Sequence, residues 1–151
     1  KVGVTRDTQV PTRWIDQGAN KAIVLAQTPN RYLAGVTEVA LKSFYSDKTN
    51  WRSMLKNLQD ESIDLVEEKW KCHDLLPQDL QQYFTENDDI LELNYPVNKF
   101  PEKITSLSLE KQENISGILT GIKGQYLIFD EQYVFNVRRH TSFEIQLTLN
   151  G

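Results

Sequence analysis

Residues 1–42 read KVGVTRDTQVPTRWIDQGANKAIVLAQTPNRYLAGVTEVALK, and the elements that this stretch predicts decide the fold of the front half. Lys1–Thr5 is rich in β-branched residues and is predicted to be a strand. A helix is predicted over Thr12–Gln17, because Pro11 suits its first turn. The apolar run within Lys21–Gln27 has the length of a strand that is covered on both faces.

Helices are predicted for the rest of the front half. Thr28 and Pro29 are typical of a helix start, and apolar residues at helical spacing predict that this helix runs to about Tyr45. Three shorter helices are expected next, the first capped by Asp47 or Thr49, the second by Asp60 or Ser62, and the third over Pro77–Phe84. The front half is therefore predicted to be β-α-β-α with extra helices.

The pattern changes at the polar, acidic segment Thr85–Asp89. Short segments rich in β-branched or aromatic residues follow and are predicted to be strands: Ile90–Tyr95, Ile104–Leu109, Ile115–Ile122, Gln125–Phe129, Tyr133–Val137 and Phe143–Leu149. Many short sequential strands indicate a small barrel or a curled antiparallel sheet. We therefore expect an α+β protein, with an α/β domain over residues 1–86 and a β-rich domain over 87–151.

Composition narrows the class of protein. Hydrophobic residues make up 39% of the 151 residues and charged residues 25%, which is typical of a globular protein. The apolar runs, such as Ala22–Ala26, are too short to span a membrane.

The single cysteine, Cys72, has no partner for an internal disulfide and fits a reducing, cytoplasmic compartment. Because Lys1 begins what is predicted to be a strand, we also expect an upstream segment.

Three residues in the front half point to chemistry on phosphate. Gly3 lies in the first predicted strand, Arg13 in the first helix and Glu38 in the second. This order resembles the GIY-YIG nuclease fold, in which a strand carries a tyrosine-isoleucine-glycine motif and the two helices carry an arginine and a glutamate. Here Lys1 stands at the position of the motif tyrosine, and the first motif would lie upstream of this sequence.

The GIY-YIG resemblance implies a metal-dependent nuclease-like phosphodiesterase that acts on nucleic acid. It assigns Glu38 as the ligand of a Mg or Mn ion, since carboxylate oxygens suit such hard cations. Arg13 would neutralise charge on the phosphate that is cleaved, and Gly3 would let the backbone approach the substrate. We add Arg6 and Arg31 as candidate substrate-binding residues.

Longer motifs resemble the bacterial domain-of-unknown-function family 2797. They are Lys1–Ala19, Pro29–Lys42, Asp47–Arg52 and Gly121–Asp130, which together reach across most of the chain. That family carries no established activity, so the resemblance implies membership and no chemistry.

The sequence leaves open whether the chain is an enzyme. A second hypothesis is a non-catalytic module that binds nucleic acid or a protein, favoured by Lys1 in place of the tyrosine. The net charge of −4 gives no support to nucleic acid overall, although a local basic face is compatible with it. A third hypothesis is a structural domain in which Glu38 is an ordinary solvent-facing residue and Arg6 and Arg13 form surface ion pairs.

Other candidate motifs have simpler explanations. Trp51 and Arg52 could stack on a base or bind a phosphate, yet a capped helix start with a core tryptophan explains them as well. Cys72-His73 does not make a catalytic dyad, because adjacent helical residues point in different directions. The basic residues Arg138–His140 lie near aromatic residues, as in barrels that bind single-stranded nucleic acid, but a solvated turn is the alternative.

Overall fold

The computed structural model describes residues 1–150. The chain forms two compact units, the first over Lys1–Asn94 and the second from Tyr95 onward. Both helices and strands are present, so the α+β class is confirmed, with five α-helices and two separate sheets within residues 1–150.

The first unit is mainly helical. After a 3₁₀ helix at Asp7–Gln9, its elements are α1 Thr12–Asp16, β1 Lys21–Ile23, α2 Arg31–Leu41, α3 Trp51–Leu55, α4 Leu65–Leu75, α5 Gln78–Gln81 and β2 Ile90–Glu92. β1 and β2 pair antiparallel, with Ala22 opposite Leu91. β1 is thus one strand of a two-stranded ribbon, and Lys21 is exposed, so β1 is not the strand covered on both faces that its apolar run predicts.

The predicted strand Lys1–Thr5 is wrong, because this segment belongs to neither sheet. β-branched residues favour an extended backbone, but a strand also needs a partner strand. The amide of Val2 instead donates to the carbonyl of Ser46 in the connector after α2, at 3.1 Å. The GIY-YIG-like order of strand, helix, strand and helix is therefore not formed within residues 1–150.

The helices begin later than the sequence predicts because nearer Asn and Asp side chains cap them. Asn30 accepts from the amide of Leu33 at 2.9 Å, Asn50 from Ser53 at 3.2 Å, and Asp64 from Val66 at 2.8 Å and Glu67 at 3.0 Å. Such caps satisfy amides that lack an intrahelical acceptor. The caps predicted at Thr28, Asp47 or Thr49, and Asp60 or Ser62 are wrong, and Thr28 Oγ1 donates to the carbonyl of Asn30.

The core of the first unit lies between α2, α4 and α5. Leu41, Cys72, Leu76 and Leu80 form one buried cluster. Fully burying a leucine side chain contributes roughly 1.5–3 kcal/mol, so these residues hold the three helices together. The cluster fixes α2, and with it the direction in which Glu38 points.

The second unit is built on one sheet. Its strands are β3 Thr105–Leu107, β4 Leu119–Lys123, β5 Tyr126–Phe129 and β6 Tyr133–Asn136, followed by a 3₁₀ helix at Arg138–His140. β4, β5 and β6 form antiparallel hairpins, and the sheet order is β3-β6-β5-β4. β3 pairs parallel with β6.

Of the two forms predicted for the second unit, the structure has a mainly antiparallel sheet and not a barrel, because β3 and β4 lie at opposite edges and do not pair. The last predicted strand is wrong. Phe143–Leu149 alternates like a strand but forms none, and its side chains are exposed. An alternating pattern fixes which side chains share a face, but it does not supply a partner edge.

Candidate functional site

The N-terminal segment meets the middle of α2 at Gly3. A β-carbon placed on Gly3 would lie 3.8 Å from the carboxylate oxygen Oε1 of Glu38. Glu38 is half-buried, and no residue in the range 1–150 forms a hydrogen bond or an ion pair with its carboxylate. The carboxylate of Glu38 therefore faces the backbone at Gly3, where there is no side chain.

Lys1 connects the N-terminal segment to the end of α1 and to the connector before α3. Its Nζ donates to Gln17 Oε1 and to Thr49 Oγ1, each at 2.8 Å. Thr49 Oγ1 also donates to Gln17 Oε1 at 3.1 Å, which closes a three-membered network. Arg13 precedes Gln17 by four residues and so lies on the same face of the α1 turn.

The charges around Lys1 act on one another. The pKa of Lys1 is lowered first by burial and next by the positive charge of Arg13, while Asp47 and Glu38 act in the opposite direction. Arg13, Asp47 and Glu38 are therefore all close enough to Lys1 to interact with its ammonium. We call Lys1, Gly3, Arg13, Glu38 and Asp47 the charged site.

A small pocket of about 60 Å³ adjoins the charged site. Its walls come from the N-terminal segment, α2 and the connector after α2: Val2, Glu38, Val39, Lys42, Tyr45 and Asp47. The Tyr45 hydroxyl donates to Glu68 Oε2 at 3.0 Å. Burial, helped by hydrogen bonds with Cys72 and Glu68, raises the pKa of Tyr45 far above its usual value, so this tyrosine keeps its proton.

The two other arginines predicted for the site are both exposed. Arg6 is the exposed residue before the 3₁₀ helix Asp7–Gln9. Arg31 is the exposed first residue of α2, seven positions before Glu38 and so about 10 Å away along the helix axis. Neither contributes to the charge environment of Lys1.

Sequence reasoning missed three residues of this region. The sequence pattern indicates helix caps at Asp47 and Thr49 and a helix end at Gln17, and it does not place any of the three beside Lys1. The one available signal was the four-residue spacing between Arg13 and Gln17, which places both on one helical face. The contacts of Lys1 with Gln17 and Thr49 join positions far apart in the chain, which no local pattern indicates.

The donor set is compatible with Mg or Mn held partly by water. Glu38 and Asp47 both border the pocket. Within residues 1–150 no group of three or more His, Cys, Asp and Glu side chains converges. Magnesium is commonly held by one or two carboxylates, with water and substrate oxygens completing the shell, so two carboxylates are sufficient.

Residues of the remaining candidate motifs make contacts within the chain. The guanidinium of Arg52 lies 4.2 Å from the ring centroid of its neighbour Trp51. Cys72 is buried, and burial raises the pKa of its thiol, so it is not an activated nucleophile. His140 is buried and stacks on Phe135 with centroids 4.4 Å apart.

The comparisons with known proteins identify a family. The family model described as "Protein of unknown function (DUF2797)" matches residues 1–145. The chain belongs to the DUF2797 family. No curated protein and no solved structure matches it. In the part of the chain that the structure describes, residues 1–150, no helix has the length and apolar character needed to cross a membrane.

Proposed function

We propose that the first unit is a nuclease-like phosphodiesterase that acts on nucleic acid with the help of a Mg or Mn ion. The proposal is supported by the approach of Gly3 to Glu38, by the hydrogen bond that holds Lys1 against Gln17 at the end of α1, and by the electrostatic effects of Arg13 and Glu38 on Lys1. A carboxylate that can hold a divalent ion and a cation that can offset phosphate charge are parts that metal-dependent phosphodiester cleavage uses.

Each residue has a role that follows from its chemistry. Glu38, with Asp47 beside the same pocket, would hold the divalent ion, which when bound offsets phosphate charge and makes water a better nucleophile. Arg13 donates to phosphate oxygens and stabilises the charge that builds on them. Gly3 leaves the substrate free to approach the backbone, because no side chain stands between it and Glu38.

A second candidate function, binding of nucleic acid without cleavage, is favoured by Lys1. The GIY-YIG nucleases, which the order of these residues resembles, carry a tyrosine at the position of Lys1. The ammonium of Lys1 donates both of its hydrogen bonds, to Gln17 and Thr49, and so it acts as a donor and not as a base.

A cleavage assay separates the two candidates. The full-length protein would be incubated with end-labelled single-stranded DNA, duplex DNA and RNA, in Mn, in Mg and in EDTA. We expect cleavage that needs the metal and that is lost in Glu38→Gln. Glu86→Gln, which changes an exposed glutamate in the connector after α5, is the matched control and should cleave normally.

Cleavage that survives in Glu38→Gln would contradict the assignment of this residue as the metal ligand. Tight binding of the same strands with no cleavage in either metal would contradict the phosphodiesterase and leave the binding function.

A further inference from the structure

Lys1 is held in a fixed position and keeps one donor for a ligand. An ammonium group has three N–H donors. Two of them bond to Gln17 Oε1 and Thr49 Oγ1, and the bond from Thr49 to Gln17 locks these two acceptors together. The third donor has no acceptor among the hydrogen bonds and ion pairs of Lys1 within residues 1–150.

Arg13 brings a second positive charge to the same place. It lies one helical turn before Gln17, whose side chain touches the Lys1 ammonium. Its guanidinium makes no ion pair within residues 1–150. Two like charges held together are unfavourable until an anion lies between them.

The acidic neighbours form no ion pair with Lys1 or Arg13 within residues 1–150. Glu38 and Asp47 act on Lys1 less strongly than burial and Arg13 do, and neither carboxylate comes within ion-pair distance of Lys1 or Arg13. The positive pair is therefore near the carboxylates without being neutralised by direct contact.

We infer that Lys1 and Arg13 together bind a phosphate oxyanion of the substrate without any metal, and that Gln17 and Thr49 are positioning residues that aim the Lys1 ammonium at it. This inference rests on the proposed function, since it assigns the phosphate-binding half of the same site. The ligand class is a phosphate ester in a nucleic acid strand or, with the same chemistry, free inorganic phosphate.

Binding in EDTA tests the inference apart from cleavage. A fluorescent twelve-nucleotide DNA strand would be titrated with the full-length protein, and inorganic phosphate would be used as the competitor. We expect Lys1→Gln to weaken strand binding about tenfold, the usual effect of losing one charge-assisted hydrogen bond. Lys1→Arg should retain most of the affinity, and Lys103→Gln, at an exposed lysine in the second unit, should bind like wild type.

The pH profile distinguishes positioning from a merely structural role. The lowered pKa of Lys1 means that wild-type affinity should fall as the pH rises toward 10, earlier than for an ordinary lysine. Lys1→Arg should show a flat profile, because arginine stays charged. Thr49→Val and Gln17→Met remove acceptors that favour the ammonium, so each should move the fall in affinity to a lower pH.

The outcomes separate this inference from the proposed function. Binding in EDTA that depends on Lys1, with no cleavage in any metal, would support the inference and overturn the phosphodiesterase. Metal-dependent cleavage together with equal strand binding by wild type and Lys1→Gln in EDTA would overturn the inference and leave the enzyme. Competition by phosphate below millimolar concentration would identify the free ion as a ligand, whereas displacement by another strand alone would identify the ester.

Discussion

A β-carbon on Gly3 would lie 3.8 Å from Oε1 of Glu38, so the backbone of the N-terminal segment and the acid of α2 face one another directly. That distance is an ordinary van der Waals contact. The space therefore admits a methyl group, and a longer side chain would extend over the carboxylate of Glu38.

This spacing predicts different results for two substitutions at Gly3. Gly3→Ala should change the free energy of unfolding by less than about 0.5 kcal/mol, as exposed positions usually do, and should leave most of the cleavage activity. Gly3→Leu should fold equally well but should abolish cleavage, because its side chain would reach the carboxylate of Glu38. Urea unfolding and the cleavage assay measure the two effects, and full activity in Gly3→Leu would show that substrate does not approach here.

Gly18 and Gly35 should respond in opposite ways to alanine. Gly18 has φ +68°, and a β-carbon there would clash with Met54 Sδ, so Gly18→Ala should destabilise the fold by about 1–3 kcal/mol. Gly35 lies inside α2 with nothing within 4 Å of a β-carbon, so Gly35→Ala should stabilise by about 0.5–1 kcal/mol. All the tryptophans lie in the first unit, so their fluorescence in urea reports both changes. Equal effects at the two positions would contradict the backbone geometry.

Lys69 should stabilise the first unit through its buried ammonium. Its side chain is 0% exposed, and Nζ donates to the carbonyl of Asn87 at 2.6 Å and to Asp88 Oδ1 at 2.9 Å. Lys69→Ala should cost about 2–4 kcal/mol, as truncation of a long buried side chain does. Lys69→Met fills the same volume and should cost less. Equal losses in urea unfolding would mean that the hydrogen bonds of the ammonium, which both variants lack, account for the stability and that the buried volume does not.

The ion pair between Lys69 and Asp88 should make the stability of the first unit depend on pH in the acidic range. The hydrogen bond from Lys69, and after it the one from Trp70, lowers the pKa of Asp88. A lowered carboxyl pKa stabilises the fold above the unfolded value of about 3.9 and loses that effect as the pH falls through the folded value. Lys69→Met should therefore weaken the loss of stability below pH 4, and an unchanged acid profile would contradict the coupling.

Lys123 should make the second unit more stable in mild alkali. Its side chain is buried, with Nζ 5.2 Å from the ring centroid of Tyr95 and 5.0 Å from that of Phe100, and burial lowers its pKa to about 8. Between about pH 8 and the unfolded value of about 10.4, the unfolded chain binds more protons than the folded chain. The free energy of unfolding should therefore rise with pH in that window, by on the order of 1 kcal/mol.

Lys123→Met is the control for this effect, because it keeps the volume and cannot titrate. The rise should be absent in that variant when both proteins are unfolded in urea and followed by circular dichroism. A parallel slope in the two proteins would show that other groups cause it.

The sequence predicted most elements of the fold but not how they pair. Helical spacing located α2 and α4, and short β-branched runs located β4, β5 and β6, because both signals are local. Lys1–Thr5 and Phe143–Leu149 have the composition of strands without a partner edge, and composition does not specify partners. The parallel pairing of β3 with β6 depends on a crossover that no short pattern records.

The candidate site was only partly visible in the sequence. Gly3, Arg13 and Glu38 could be named from their order along the chain, and their catalytic roles stay predictions. Gln17 and Thr49 could not be named from the sequence, because their hydrogen bonds with Lys1 join positions 16 and 48 residues apart and form only in the folded chain. Arg6 is a candidate because of its charge, and Arg31 because of its charge near a helix start; their roles in substrate binding also stay predictions.

A double-mutant comparison of Arg13 and Glu38 tests the central claim most directly. Metal-dependent cleavage of one labelled strand would be measured for wild type, Arg13→Ala, Glu38→Ala and the double variant. Residues that act on one phosphate as a unit are strongly non-additive, so the double variant should be no slower than the worse single variant. Independent losses that multiply, or cleavage unaffected by either substitution, would contradict a shared phosphodiester site.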